Sequence, residues 1–433
     1  MSKSKRSSRR EAVTSKLALE GIRVLDLGMF WAGPYCGGLL ADMGAEVIKV
    51  ESCRRPDPLR IQARGIYPNG EPGERPWNRS GMINERNRNK FGITLDLTLP
   101  KGKEVFKRLI KVSDVVVENF SRKVMGSWDL NYPQLKEVNP AIIMISLSSQ
   151  GLTGPDKDHV SFGPTLEDIG GLSYITGYPD QISTFMSFAY PDALAGVLGA
   201  GAVIAALRHR QRTGEGMHID LSQRELTTCI IGEVMMDYAM NGRVKKAVGN
   251  KHPAMAPYGC YPCQGEDEWI TIAIASDQDW RKLCQVMEKA ELADDERFSD
   301  LPSRWQNQDE LDKIITEWTK GWDHYELMQH LQKVGLCAGA VLTMEELFND
   351  PHLREREFFR TQTHPEAGTF PYKGRPIRLS KTPLRTQMPA PCLGEHNSYV
   401  YGTLLGMTQE EINELEGEGV IGTVPVSTEL QFT

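Results

Sequence analysis

The 433-residue chain is long enough for two or three folding units of about 150 residues each, with a sizeable buried core. With 40% hydrophobic and 25% charged residues it has the make-up of a globular protein, which excludes disordered, collagen-like and disulfide-scaffold chains. A net charge of -7 argues against a general nucleic-acid binder, so an anionic ligand must find a local basic cluster.

Residues 1–16 are rich in Ser, Lys and Arg and lack an apolar centre. They read as a flexible tail rather than a secretory signal, and Glu11 counts against an organelle-targeting helix. The expectation is a cytoplasmic protein with no membrane segment, because the low-charge stretch Ala193 to Leu207 is short and rich in Ala and Gly.

Gly21 to Leu27 is an apolar run bounded by glycines and predicts a buried strand. A turn over Gly28 to Pro34 follows, then a helical pattern from Tyr35 to Met43, a stop at Gly44 and a second strand from Ala45 to Glu51. The alternation continues with a strand from Ile93 to Leu97, a helix from Lys101 to Val112 and a strand from Asp114 to Glu118. A helix around Pro133 to Val138 and a strand from Ala141 to Leu147 complete it. Such alternation means an α/β layer architecture with a parallel sheet. Asp192 to Arg210 reads as one helix whose small residues Ala193, Ala195, Gly196, Gly199, Ala200 and Ala202 let another backbone approach closely, and Ser222 with Glu225 has the spacing of a capping box.

Beyond Gly249 the pattern changes. Trp269 to Ala275 predicts a strand, with helices through Lys320 and from Tyr325 to Val334, and the Pro-rich end reads as a returning segment. The division expected is a tail over 1–16, a large domain over 17–223, a linker helix over 224–250, a small domain over 251–340 and a return to the large domain over 341–433.

Several chemistries are disfavoured by spacing. Gly28, Gly33 and Gly37 do not make Gly-x-Gly-x-x-Gly, and Trp31 is bulky where a backbone should approach a dinucleotide's phosphates. There is no Gly-x-x-x-x-Gly-Lys-Ser/Thr loop, so use of a nucleoside triphosphate is not expected. The eight cysteines are scattered; Cys260 and Cys263 form a close pair, but no second pair completes a metal site, and no metal is expected.

Taken together, a set of phrases in fixed order resembles the family III CoA-transferases, the CaiB/BaiF group. They are Ala32-Gly33-Pro34, Gly44 to Glu51, Asn87-Arg88-Asn89-Lys90 leading to Asp96, Asp114 to Phe120, Asn139-Pro140, Thr176-Gly177 and Thr213 to Gly216. Gly249-Asn250, His252-Pro253, Asp350 to Leu353 and Leu393 to Asn397 extend the match over most of the chain. The resemblance implies a large Rossmann-like parallel-sheet domain plus a smaller α+β domain, in an interlocked ring dimer. It implies transfer of CoA from an acyl-CoA to a free acid through covalent adducts of one aspartate, which falls on Asp192. Without the resemblance, Asp192 after Pro191 is an ordinary acid at a helix start. An ionised carboxylate, with an ordinary pKa near 3.9, needs no general base to attack a thioester.

The ligand implied is coenzyme A, carried in as an acyl-CoA substrate. Its phosphates call for one of two basic clusters: Arg54, Arg55 and Arg60 after the second strand, or Arg86, Arg88 and Lys90 before the third. The resemblance points to Arg54, Arg55, Arg88 and Lys90, with Asn119 as a further CoA contact and Trp31 and Ala32 in the first turn. Trp31 stands where formyl-transferring members carry Gln, so formyl and oxalyl substrates are not expected. The family's second acid falls on Gly163; Glu167, a helical turn on, is the candidate for orienting substrate. Phe162-Gly163-Pro164-Thr165-Leu166-Glu167 is similar to members that pass CoA from succinyl-CoA to aromatic succinates, some built from two related chains, which implies a large hydrophobic acceptor and a homodimer or heteromer. Two other readings stay open. A racemase of the same fold needs a His where Phe162 stands, with His159 three residues away, and a non-catalytic CoA-binding subunit would turn over nothing alone.

Overall fold

The computed structural model describes residues 17–61, 66–179, 181, 184, 189–384 and 388–427; the tail expected over 1–16 lies outside them. The chain divides into two compact units. The larger runs to Gly170, resumes through Gly232 and closes from Glu357 onward; the smaller holds the residues after Gly170 and Glu233–Arg356.

The larger unit is built on six strands: β1 (Arg23–Asp26), β2 (Glu46–Glu51), β3 (Lys90–Thr94), β4 (Val115–Glu118), β5 (Ile143–Ser148) and β6 (His218–Ser222). They pair in the order β3-β2-β1-β4-β5-β6, every neighbour parallel. Both faces are covered, which is why these strands read as continuous apolar runs. Val24, Val47, Val115, Val117, Ile143 and Ile145 point into one core, while Leu25, Ile48, Ile93, Val116 and Met144 point into the other. The order reverses between β1 and β4, and ligands of open α/β sheets sit in the crevice beyond the strand ends at such a point. The turn after β1 and Asn119 after β4 border that crevice.

Two helices begin earlier than their periodicity predicts, and each has proline in its first turn, where a missing N–H costs nothing. One spans Ala32–Asp42, three residues ahead of the expected Tyr35; the other spans Tyr190–Thr213 and ends at Gly214 with φ 78°. The second is long and apolar enough by composition to cross a membrane. One face of it packs into the larger unit, with Ala195, Gly196, Gly199, Ala200 and Val203 buried, while Val197 and Leu198 are exposed. The Leu393 to Asn397 phrase caps the exposed side of β3: the Gly92 N–H donates to His396 Nδ1 at 3.0 Å and the Thr94 N–H to Asn397 Oδ1 at 3.0 Å. An edge strand that would otherwise offer free backbone groups is thereby closed.

The smaller unit carries an antiparallel sheet, β7 (Tyr258–Pro262), β8 (Trp269–Ala273) and β9 (Cys337–Ala340), over a core that includes Trp280, Phe298, Ile315 and Leu331. It extends past residue 340 through two short helices, Met344–Asn349 and Pro351–Glu355, before the chain returns at Glu357. Cys260 and Cys263 are free thiols there. Burial raises both, Cys263 to about 11, so neither is a thiolate at neutral pH.

Candidate active site

The turn after β1 is held from three sides. Gly28 N–H donates to Asp26 Oδ1 at 2.9 Å; Met29 N–H donates to Asn119 Oδ1 at 2.7 Å while Asn119 Nδ2 donates to Met29 O at 2.9 Å. Phe30 sits at φ 60°, a strained setting for a bulky residue, and its N–H donates to Asp57 Oδ2 at 3.1 Å. These contacts fix where the next residues point. Trp31 and Ala32 open the Ala32–Asp42 helix without a side-chain cap, leaving the first N–H groups of the helix directed outward.

Asp192 meets them there. It lies in the first turn of the Tyr190–Thr213 helix, and the N–H groups of Ala32 and of Asp192 itself are near enough to its carboxylate to favour the charged form. Two helix N-termini therefore converge on one carboxylate, an arrangement that favours negative charge. The approach depends on glycine. A Cβ at Gly196 would stand 2.8 Å from the Tyr35 ring and 3.1 Å from Ala32 O, so the small-residue face of the long helix lets the Ala32 helix close in. A Cβ at Gly163 would stand 2.8 Å from Asp192 Oδ2, so glycine at this position leaves room beside the nucleophilic oxygen.

Burial pushes the Asp192 carboxyl up to about 6, against the opposing pull of the Arg86 charge and the two backbone N–H groups. At pH 7 the carboxylate still outnumbers the acid by roughly ten to one. The group is thus ionised yet more basic than a solvated aspartate, which suits a nucleophile.

The other residues singled out in the sequence do not all gather here. Lys90 is fully buried and its ammonium donates to Asp26 Oδ2 at 2.7 Å, Pro34 O at 2.7 Å and Asn87 Oδ1 at 2.8 Å. All three protons are engaged inside the fold, so Lys90 holds the turn instead of presenting a charge to a ligand. Arg88 is also fully buried, with Nη2 3.4 Å from Asp42 Oδ2, a carboxylate it shares with Arg375. Arg60 lies against Glu51 at 2.7 Å. Of the expected phosphate contacts, Arg54 and Arg55 reach solvent, Arg54 with its Nε 3.1 Å from Asp96. Asn119 braces Met29, as above. Glu167 is buried one turn beyond Gly163 in the Gly163–Ile169 helix. His159 is exposed, 3.5 Å from Asp156, and Phe162 packs edge-on against Phe30 at 5.7 Å.

Three residues at the site escaped individual notice in the sequence: Asp26 and Asp57, which tie down the turn, and Arg86, whose guanidinium lies 4.3 Å over the Trp31 ring. Asp57 and Asp26 gave the signal of acids placed at or just after strand ends. Arg86 gave none that separates it from Arg88.

In the smaller unit, Glu268, His324 and Glu346 bring ligand atoms within 4.8 Å of one another. His324 Nδ1 is 2.5 Å from Glu268 and Nε2 2.8 Å from Glu346. Only the Nε2 contact is a hydrogen bond; Nδ1 and Glu268 Oε2 are close but meet no hydrogen-bond partner among the described residues.

A six-stranded doubly wound sheet with an ionised, partly buried aspartate at a helix start fits the transferases that the sequence resembles. The chain belongs to CoA-transferase family III, whose family model matches residues 19–397. It is 36% identical over 403 residues to the succinyl-CoA–D-citramalate CoA-transferase of Chloroflexus aurantiacus, covering 93% of this chain and 98% of that one. It is 34% identical over 390 residues to the succinate–glutarate CoA-transferase of Agrobacterium fabrum, covering 90% of this chain and 96% of the other. A CaiB/BaiF family protein from Brucella suis has a similar structure, with a TM-score of 0.81 at 32% identity over 90% of this chain and 100% of that one.

Proposed function

We propose that this CoA-transferase moves CoA from a dicarboxylic acyl-CoA, succinyl-CoA being the leading donor, to a free carboxylic acid, with Asp192 as the covalent nucleophile. The observation that carries the reading is the Asp192 carboxylate at the meeting of two helix starts, with the Ala32 N–H favouring its charge and glycine at 163 leaving room beside its Oδ2. A carboxylate oxygen of Asp192 attacks the thioester carbonyl; the C–S bond breaks and CoA leaves as a thiolate, giving a mixed anhydride. The thiolate then attacks Cγ of Asp192 and expels the donor acid, leaving an aspartyl-CoA thioester. The acceptor carboxylate attacks Cγ in turn, CoA leaves again, and its thiolate attacks the acceptor's carbonyl to release the new acyl-CoA and regenerate Asp192. No net proton is consumed and one thioester replaces another, so the cycle needs no nucleoside triphosphate.

Each attack at Cγ puts negative charge on the Asp192 oxygen that faces the Ala32 N–H. An oxyanion donor of this kind contributes about 3 kcal/mol to the transition state. Arg54 and Arg55 are the exposed cations available to the phosphates of CoA. The named relatives act on citramalate and glutarate, both short diacids, which favours a small diacid over an aromatic acceptor here. We place the working form in a ring dimer, of this chain with itself or with a related subunit.

The test is Asp192→Ala with mass spectrometry of the wild-type active-site peptide after acyl-CoA and hydroxylamine. The expected results are loss of transfer by about ten-thousandfold or more and a hydroxamate on Asp192. Full turnover by the variant defeats the covalent reading. An isolated wild-type chain that binds acyl-CoA but turns over no acid in a panel of diacids is a subunit that needs its partner.

A further inference from the structure

The basic cluster before β3 looks uniform in sequence and is not uniform in space. Lys90 is paired with Asp26, and Arg88 lies against the Asp42 carboxylate that it shares with Arg375. Arg86, at the end of the Gly81–Arg86 helix, is 8% exposed and forms no ion pair among the described residues. Its Nη1 donates to Met82 O at 2.9 Å, and its Nε finds no hydrogen-bond acceptor among the described residues. The guanidinium lies over the Trp31 ring, next in sequence to Ala32, whose N–H favours the charge on Asp192. Arg86 feels the charges of Glu85, Asp57 and Asp192, yet touches none of them as a pair; Glu85 is taken by Lys373 at 2.8 Å.

A buried guanidinium with unanswered donors is costly unless something completes it. The nucleophile cannot do so, because Asp192 loses its charge whenever it is acylated. A substrate carboxylate can, and Arg is the side chain best shaped to grip one in two-pronged fashion.

We infer that Arg86, backed by Trp31, is the binding group for the second carboxylate of a short dicarboxylic substrate, the one that does not react. The inference rests on the proposed role of Asp192 and adds a specificity site to it. A diacid whose reacting carbonyl lies against Asp192 carries its other carboxylate two or three carbons away, on the side where Arg86 waits. The same group serves donor and acceptor in turn, since both half-reactions bring a diacid to the same nucleophile. Trp31 contributes a flat wall that fixes the guanidinium's plane and restricts the acyl chain to a slim one. The position occupied by Gln in formyl-transferring relatives thus acquires a different duty here.

The experiment compares kcat/KM for succinyl-CoA against butyryl-CoA, its isostere lacking the second carboxylate, with glutarate and valerate as the matching acceptors. The wild-type enzyme should favour the diacid member of each pair by about a hundredfold or more, because a site built for a charged group rejects the analogue without it. In Arg86→Gln the ratio should collapse by about a hundredfold, mainly through KM. Arg86→Lys should recover part of the ratio. A wild-type enzyme indifferent to the second carboxylate overturns the inference, as does an equal loss toward both members of each pair in Arg86→Gln, which would mark Arg86 as a support for Asp192. Formation of the Asp192 hydroxamate is followed in the same samples. Its absence in the wild-type enzyme would instead defeat the nucleophile assignment and leave the diacid ratio to be judged on its own.

Discussion

Glu51 at the end of β2 and Asp192 at the start of the long helix are both carboxylates withdrawn from water, and they end up on opposite sides of the ordinary range. Burial would raise Glu51 too, but the Arg60 charge and its hydrogen bonds at 2.7 and 2.9 Å, with help from Lys49 and the Asp57 N–H, outweigh it and bring the group down to about 2. Asp192 has Arg86 near but unpaired, so burial wins and the group rises to about 6. One carboxylate is locked into structure; the other is left reactive. The difference lies in whether the neighbouring guanidinium closes onto the carboxylate, since in low dielectric a direct pair and a near miss differ by several kcal/mol.

The largest effect that separates the two is on stability. Glu51→Gln leaves Arg60 fully buried without its counter-charge, its donors meeting only neutral acceptors: the new amide oxygen, Trp77 O and Pro391 O. A loss of about 3–5 kcal/mol in urea denaturation is expected. A loss below about 1 kcal/mol would mean that the pair is not what holds this end of the sheet.

The next effect is on rate. Activity that depends on ionised Asp192 should fall about tenfold per pH unit below about 6 and level off above it. Measuring kcat/KM from pH 5 to 8 checks this. A profile flat down to pH 5 would show that the carboxylate is more exposed to water in solution than its burial here implies.

A smaller effect reverses the sign between the two sites. For Glu51 the folded value lies below the unfolded one, so its contribution to stability is present above about pH 4 and is lost as pH falls toward 2. For Asp192 the folded value lies above the unfolded one. Its charged form therefore weakens the fold at neutral pH, and that penalty disappears as pH falls from 6 to 4. Asp192→Asn should accordingly gain about 1 kcal/mol at pH 7 while losing activity, and match the wild type near pH 4. An Asn variant less stable than the wild type at pH 7 would contradict the contrast.

How far these distinctions could be read from the sequence follows from the same physics. The alternation of apolar runs and helical patterns marks β1 to β5 because both faces of that sheet are buried, and the Gly and Ala face of the long helix announces a close neighbour, which Tyr35 and Ala32 supply at Gly196. The position of Asp192 is legible only through the family resemblance; by composition it is one more acid in a first helical turn. Pairing was not legible. Arg86 and Arg88 are two residues apart in one basic run, but the Gly81–Arg86 helix ends between them and their side chains part, one to Trp31 and one to Asp42. Lys90 carried a usable signal: it opens a strand buried on both faces, where a charge survives only if paired. The division of labour within a basic cluster is set by contacts far apart in sequence, such as the one between Arg375 and Asp42.

The least effect is expected from the charges that remain in water. The Arg54 side chain is 62% exposed, and its contact with Asp96 contributes little to the fold. If Arg54 and Arg55 serve the phosphates of CoA, Arg54→Ala and Arg55→Ala together should leave the denaturation midpoint almost unmoved. The same change should raise KM for acyl-CoA by about threefold to tenfold at low ionic strength, because each lost contact is a screened one. The rise should shrink as salt is added, while KM for the acceptor acid, which carries no phosphate, stays where it was. A KM for acyl-CoA that does not respond at low salt would move the nucleotide end of CoA away from this loop. Arg60 could not take its place, since it is already committed to Glu51.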